Sequence, residues 1–282
     1  MNKLSAERRA AVIRCLVEGN SIRSTVRITG AAKNTVAKLL VDLGHVCSEY
    51  QDRTLRGLTS ERVQCDEIWA FVGCKQKNIP EGKRGEFGIG DVWTWTAMDA
   101  DTKLIISWRV DDRSAGAASD LIDDLASRLS SRIQLTTDGH SAYLDAVDGA
   151  FGAELDYAML VKLYGNAPEG EKRYSPAVCT GAKKSRIQGD PDPLHISTSY
   201  IERQNLTMRM QMRRFTRLTN GFSKKVENHI AAVSLHTLYY NFARPHQSLK
   251  ERPGIDRTPA MAASVADHVW SVEEIVKLLD SN

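Results

Sequence analysis

The chain has 282 residues, with 38 Lys and Arg against 35 Asp and Glu for a formal net charge of +3, and 42% of it is hydrophobic. That composition describes a globular protein with room for one large core plus a small accessory unit. No signal-peptide pattern opens the chain and no apolar run approaches the ~20 residues of a membrane helix. Five cysteines (Cys15, Cys47, Cys65, Cys74, Cys179) lack paired spacing, which supports neither a zinc ribbon nor a disulfide framework and points to reduced thiols in a cytoplasmic setting.

Basicity is local. Residues 1–50 hold eight Lys/Arg against four Asp/Glu, a net +4 that leaves the remainder near −1. Residues 5–44 read as three short helices punctuated by Gly19-Asn20 and Gly30, with Ile13, Leu16, Val17, Ile22, Val26, Ile28, Val36, Leu39 and Leu40 as a small core. This is helix-turn-helix grammar, an all-α unit over residues 1–50. Its third helix, expected over 32–43, offers Lys33, Asn34, Thr35 and Lys38 to base edges and phosphates of a major groove. The plainer alternative is a helical cap that never meets DNA. Residues 45–60 read as a polar connector.

VQCDEIWAFVG (63–73) is apolar on both faces, the pattern of a central strand. After a Gly- and charge-rich loop, VWTWTAMD and KLIISWRV fold into a hairpin about the turn at 99–102. AGAASDLIDDLASRLS is an amphipathic helix with Leu121, Leu125 and Leu129 four apart. RIQLTTDGHSAYLDAV gives a strand ending near Asp138 and a helix after Gly139, and 155–165 another strand. Residues 166–198 show no periodicity and read as a loop insertion in the core. Helix resumes at VENHIAAVSLHTLYYNF, breaks at ARPHQSL, and a short helix, SVEEIVKLL, closes an extension over 246–282. The order β-β-β-α-β-α-β is that of the ribonuclease H-like fold: an α/β mixed sheet flanked by helices, here over 60–245.

The segment 199–225, SYIERQNLTMRMQMRRFTRLTNGFSKK, carries one acid, Glu202, followed only by basic charges. Read as one helix, it puts Glu202, Asn205, Arg209 and Arg213 on one stripe and Ile201, Met208, Met212 and Phe215 on the opposite side. In the fold above, acids on the first strand, at the end of the fourth strand and on the final helix converge at one sheet edge, and Asp66, Asp138 and Glu202 occupy those places. Three such carboxylates repel one another unless divalent cations compensate, and Mg²⁺ suits oxygen ligands shared with phosphates. Two ions about 3.5–4 Å apart would activate an attacking water or 3′-hydroxyl and stabilise the departing oxygen. Duller roles exist: Ser199 to Glu202 fits an S-x-x-E capping box, and Asp138-Gly139 fits a turn. Asp66 is harder to dismiss, because an acid inside an apolar strand needs a partner, and Glu67 should leave on the opposite face. His140 is a possible catalytic neighbour, Asn205 a binding candidate, and Asp190 and Asp192 reserve ligands.

The blocks CDEIWAFVG, TTDGHSAY, 199–225, and YYNFARPHQSL with TPAMAA resemble insertion-sequence transposases of the DDE class, most closely the insertion-sequence-one family, over about residues 60–280. The resemblance implies a catalytic core that uses Mg²⁺, with Mn²⁺ as a substitute, and has Asp66, Asp138 and Glu202 as its triad. Arg209 corresponds to the basic residue seven positions after the glutamate, placed to grip a phosphate. The implied partners are double-stranded DNA, as transposon terminal inverted repeats and target, and further copies of the chain, since paired ends need at least a dimer; no membrane is implied. Better-known members carry an N-terminal zinc-binding segment that these cysteines cannot build, which leaves end recognition to the helix-turn-helix. The separation of the last two acids, 202 − 138 = 64 residues, fits a loop insertion. Two rival readings share the fold: a helix-turn-helix regulator with an inactive core, and a structure-specific nuclease that cuts without joining.

Overall fold

The structure, a computed structural model, describes residues 4–165, 179–216, 219–250 and 256–280. Three helices lead: α1 (Ala6–Val17), α2 (Ile22–Thr29) and α3 (Lys33–Thr54). Ser5 and Ser21 cap the first two through their hydroxyls, and Gly30 closes α2 in a left-handed conformation, φ 69°. The third helix runs eleven residues beyond the expected end at 43, so most of the supposed connector is helical. Cys47 and Gln51, four apart, are buried along its inner face, while Glu49, Asp52 and Arg53 keep the outer face polar and mask the periodicity.

The sheet contains β1 (Arg62–Val72), β2 (Gly90–Asp99), β3 (Ile105–Asp111), β4 (Gln134–Thr137), β5 (Asp156–Tyr164) and β6 (Cys179–Gln188), in spatial order β3-β2-β1-β4-β5-β6. β1 pairs antiparallel with β2 and parallel with β4, so the sheet is mixed, as expected. Asp99 sets the β2–β3 turn by accepting hydrogen bonds from Asp101 N at 2.7 Å and Thr102 N at 3.0 Å. The expected loop over 166–198 is partly strand: β6 pairs antiparallel with β5, while 166–178 lie outside the described residues. Its polar, largely exposed sequence gave no alternation to read, because an edge strand needs no apolar face.

Helices α4 (Ala115–Arg128) and α5 (Ala142–Phe151) cover one face of the sheet; α6 (Ser199–Gln211) and α7 (Val226–Leu238) pack on the other, followed by a π turn at Tyr239–Ala243, α8 (Pro259–Ala262) and α9 (Val272–Lys277). One continuous apolar core joins Ile13 of α1, Leu43 of α3, Leu135 of β4, Leu121 of α4, Leu235 of α7 and Ile275 of α9. A second cluster, Ile68, Val92, Met208, Met212 and Phe215, lies beneath α6. α3 and α7 cross closely: a Cβ added to Gly44 would stand 2.5 Å from Ala231 Cα, and Ser234 Oγ donates to Gly44 O at 2.6 Å. Among the described residues no helix is long and apolar enough to cross a membrane.

Candidate metal centre and nucleic-acid interface

Register creates the acidic site. β1 and β4 run parallel with Cys65 opposite Thr137 as their last paired rung, and Asp66 and Asp138, the residues that follow on each chain, bring carboxylate oxygens within 4.8 Å of one another. A Cβ on Gly139 would meet Val161 Cγ2 at 2.9 Å, so a larger residue there would have to displace that side chain. Asp138 Oδ1 accepts from His140 N at 3.0 Å, which folds the chain back toward α5.

Asp66 faces α6. Its Oδ2 accepts from Asn205 Nδ2 at 2.8 Å and its Oδ1 from Glu67 N at 2.8 Å. Burial, then the charges of Asp138 and Glu67, push its carboxyl up to about 7, and Glu202 adds to the shift. Glu67 leaves on the opposite face, as strand alternation requires, yet a carboxylate oxygen of each of Asp66, Glu67 and Asp138 falls within 4.8 Å of the others. Arg113 holds Glu67 from Nε at 2.7 Å, with its guanidinium over the Trp93 ring, and Tyr143 OH donates to Glu67 at 3.3 Å. Burial and the Asp138 charge still raise the Glu67 carboxyl above its ordinary range.

Glu202 stands across the cleft. Gln64 of β1 accepts from Tyr200 N and Ile201 N, both at 3.0 Å, and so seats the first turn of α6 on the sheet. The capping box does not form: the N-cap is Thr198, without a side-chain cap bond. Thr198 Oγ1 instead donates to Glu202 Oε1 at 2.5 Å, and Lys162 of β5 pairs with Oε2. Asp66, Glu67, Asp138, His140, Lys162, Glu202, Asn205 and Arg209 all line one cleft of about 700 Å³.

Glu202, Asn205 and Arg209 keep their stripe, but Arg213 leaves it. α6 stops at Gln211 because Met212 turns extended, φ −116° and ψ 108°, which drops Met212 and Phe215 into the apolar cluster. Arg213 is exposed on the following turn, outside the acidic cleft. His140 packs against Trp95 and Tyr143, with ring centroids 5.7 and 6.1 Å away. Burial and Arg113 hold its pKa below the ordinary value, so it is neutral at pH 7. Asp190 accepts from Arg186 and Asp192 from Leu194 N; neither lines the cleft. Lys33, Asn34, Thr35 and Lys38 are exposed on the first turns of α3.

Sequence reasoning missed Lys162, Glu67 and Arg113. A lysine inside the apolar run LDYAMLVKLYG was the available signal for Lys162. The other two meet only through folding.

The carboxylates that converge among the described residues are Asp66, Glu67 and Asp138, a donor set that fits a hard divalent cation. Glu202 lines the same cleft but is not part of that cluster, its oxygens being held by Thr198 and Lys162. The raised Asp66 carboxyl reflects burial first and its acidic neighbours second. No family model matches the chain, and no curated protein does. Among solved structures it is similar to the piggyBac transposase synaptic complex with hairpin DNA, at 11% identity and TM-score 0.40 over 99% of this chain and 71% of that one. It also overlaps the Mos1 strand transfer complex, at 11% identity and TM-score 0.24 over 84% and 76% of the two chains. The Mos1 paired-end complex with left transposon end gives 12% identity and TM-score 0.23, over 55% of this chain and 60% of that one.

Proposed function

We propose that the chain is a DNA transposase that cleaves and rejoins DNA strands with two Mg²⁺ ions, for which Mn²⁺ can substitute. The observation that supports the metal-dependent part is the approach of Asp66 and Asp138 carboxylate oxygens to within 4.8 Å in a cleft that Glu202 also lines. The transposition part rests on the resemblance of the sequence blocks. Asp66, Asp138 and Glu202 would hold the cations. When bound, such ions supply the positive charge that activates an attacking hydroxyl and stabilises the leaving oxygen.

The chain's own residues supply position. Asn205 fixes the orientation of Asp66. Gln64 fixes the start of α6 and hence Glu202. Arg209, two turns beyond Glu202 on the same face, offers a guanidinium to a phosphate of the bound strand. The N-terminal helices would bind terminal inverted repeats through Lys33, Asn34, Thr35 and Lys38, and two or more copies would bring paired ends together.

The test uses a labelled end duplex and a supercoiled target with Mg²⁺. Strand nicking lost in Asp66→Asn, Asp138→Asn and Glu202→Gln, with duplex binding kept, is the expected result. A pre-cleaved end with a free 3′-hydroxyl should then join the target. Nicking without joining would identify a nuclease, and binding without metal-dependent nicking a regulator.

A further inference from the structure

A second groove, of about 660 Å³, lies between the start of α3 and the segment that follows α6. Its lining carries six cations: Lys33 and Lys38 on one wall, and Arg213, Arg214, Lys224 and Lys225 on the other. Among the described residues the single lining carboxylate, Asp42, is bound to Lys38 at 2.7 Å. The balance is therefore 6 − 1 = +5 on one concave surface of a chain whose net charge is +3.

Two features of this groove call for an anion. Arg214 donates to Ser223 Oγ at 2.7 Å, and among the described residues no carboxylate pairs with it. Burial pushes its guanidinium down to about 10, the signature of a positive charge short of compensation. Ser223 is in turn shared with His229 Nδ1 at 2.9 Å, an imidazole that burial and Arg214 hold neutral. Separately, α3 opens on Ala32 with no side-chain cap, so the first N–H groups of a 22-residue helix are left open beside Lys33 and Asn34.

The floor is different. Leu16, Leu40, Met212 and Leu235 line it. Cations along both rims above an apolar floor match a polymer that alternates phosphates with deoxyribose carbons.

We propose that this groove seats the sugar–phosphate backbone of duplex DNA, gripped at once by the start of α3 and by Arg213, Arg214, Lys224 and Lys225. Arg214, Lys224 and Lys225 thereby become DNA contacts. The shared grip keeps the N-terminal helices and the acidic cleft in fixed register on one duplex. The inference rests on the reading above that the substrate is DNA.

The experiment is fluorescence anisotropy of a 20-base-pair duplex with the full chain in EDTA, across a salt series. Lys224→Ala/Lys225→Ala should weaken binding about tenfold or more and reduce the log–log salt slope by about 1.8, at about 0.9 per phosphate contact. Lysine acetylation read by mass spectrometry supplies a second measurement: the duplex should protect Lys33, Lys224 and Lys225 together. Unchanged binding in the double variant, with the loss falling instead on Lys183→Ala/Lys184→Ala of β6, would overturn the groove while leaving the transposase reading intact. Tighter binding of a single strand through the same lysines would overturn the duplex assignment. Absence of any wild-type binding would end both.

Discussion

Asn205 Nδ2 donates to Asp66 Oδ2 across 2.8 Å, a bond that ties the middle of α6 to the middle of β1. Asn205 is buried, and its Oδ1 has no partner among the described residues. The amide is therefore committed to the carboxylate it holds. Asn205→Ala should lower divalent-cation affinity by about 10- to 100-fold, the range for removing a group that orients a metal ligand, with little change in duplex binding. Calorimetric titration with Mn²⁺ measures it. Unchanged affinity would show that Asp66 needs no support from α6.

Asp66 gives a pH signature. Its carboxyl sits at about 7 in the folded chain against an ordinary 3.8, so the fold holds this proton more tightly than the unfolded chain does. The stability it contributes is present in full below about pH 4 and is lost as the pH rises through about 7. Without metal, Asp66→Asn should melt several degrees above the wild type at pH 8, and the gap should close toward pH 4. Saturating Mn²⁺ should narrow the gap by stabilising the wild type alone. A gap that is flat with pH would show that the carboxyl is not strained by its neighbours.

Lys162 and Glu202 form an ion pair in the acidic cleft, so Glu202 meets a cation only by giving up Lys162, and the released ammonium is then placed to meet a phosphate of a strand in that cleft. The pair is about one-third exposed on each side, so its direct worth is at most about 1 kcal/mol. Lys162→Gln should leave the melting temperature nearly unchanged, raise Mn²⁺ affinity several-fold by freeing Glu202, and weaken duplex binding with a salt slope lower by about 0.9. Movement of both affinities in the same direction would contradict a lysine shared between acid and phosphate.

The α3–α7 crossing packs the N-terminal helices into the same apolar core as the sheet, so both are expected to unfold together. Gly44→Val should cost about 1–3 kcal/mol or more through overpacking against Ala231. Gly149→Ala, where nothing lies within 4 Å of the new Cβ on an exposed helix position, should stabilise by about 0.5–1 kcal/mol. Urea unfolding followed by far-UV circular dichroism and by tryptophan fluorescence should report one coincident transition. Separate transitions would mean that the N-terminal helices fold alone.

Much of the strand and helix order was readable because burial writes period into sequence. β1, β2, β3 and α4 fall where alternation and the Leu121–Leu125 spacing put them. β6 was unreadable for the converse reason, as an exposed edge strand with charges on both faces has no period to show. The end of α6 was misread because Met212 and Phe215 continue a helical spacing that the backbone abandons in order to bury them in the cluster between α6 and the sheet.

The sequence by itself determined which acids were eligible: an aspartate inside an apolar strand, one before Gly139, and one at the head of a basic segment. Only the tertiary structure decided what they meet. Parallel register sets Asp66 beside Asp138, a bond across the sheet face gives Asp66 to Asn205, and Glu202 finds Lys162 from a strand forty residues earlier in the chain. Local periodicity fixes the face on which a side chain leaves its element. The partner on that face is chosen by which distant element packs there, and the energy of that choice lies in contacts between residues far apart in the chain.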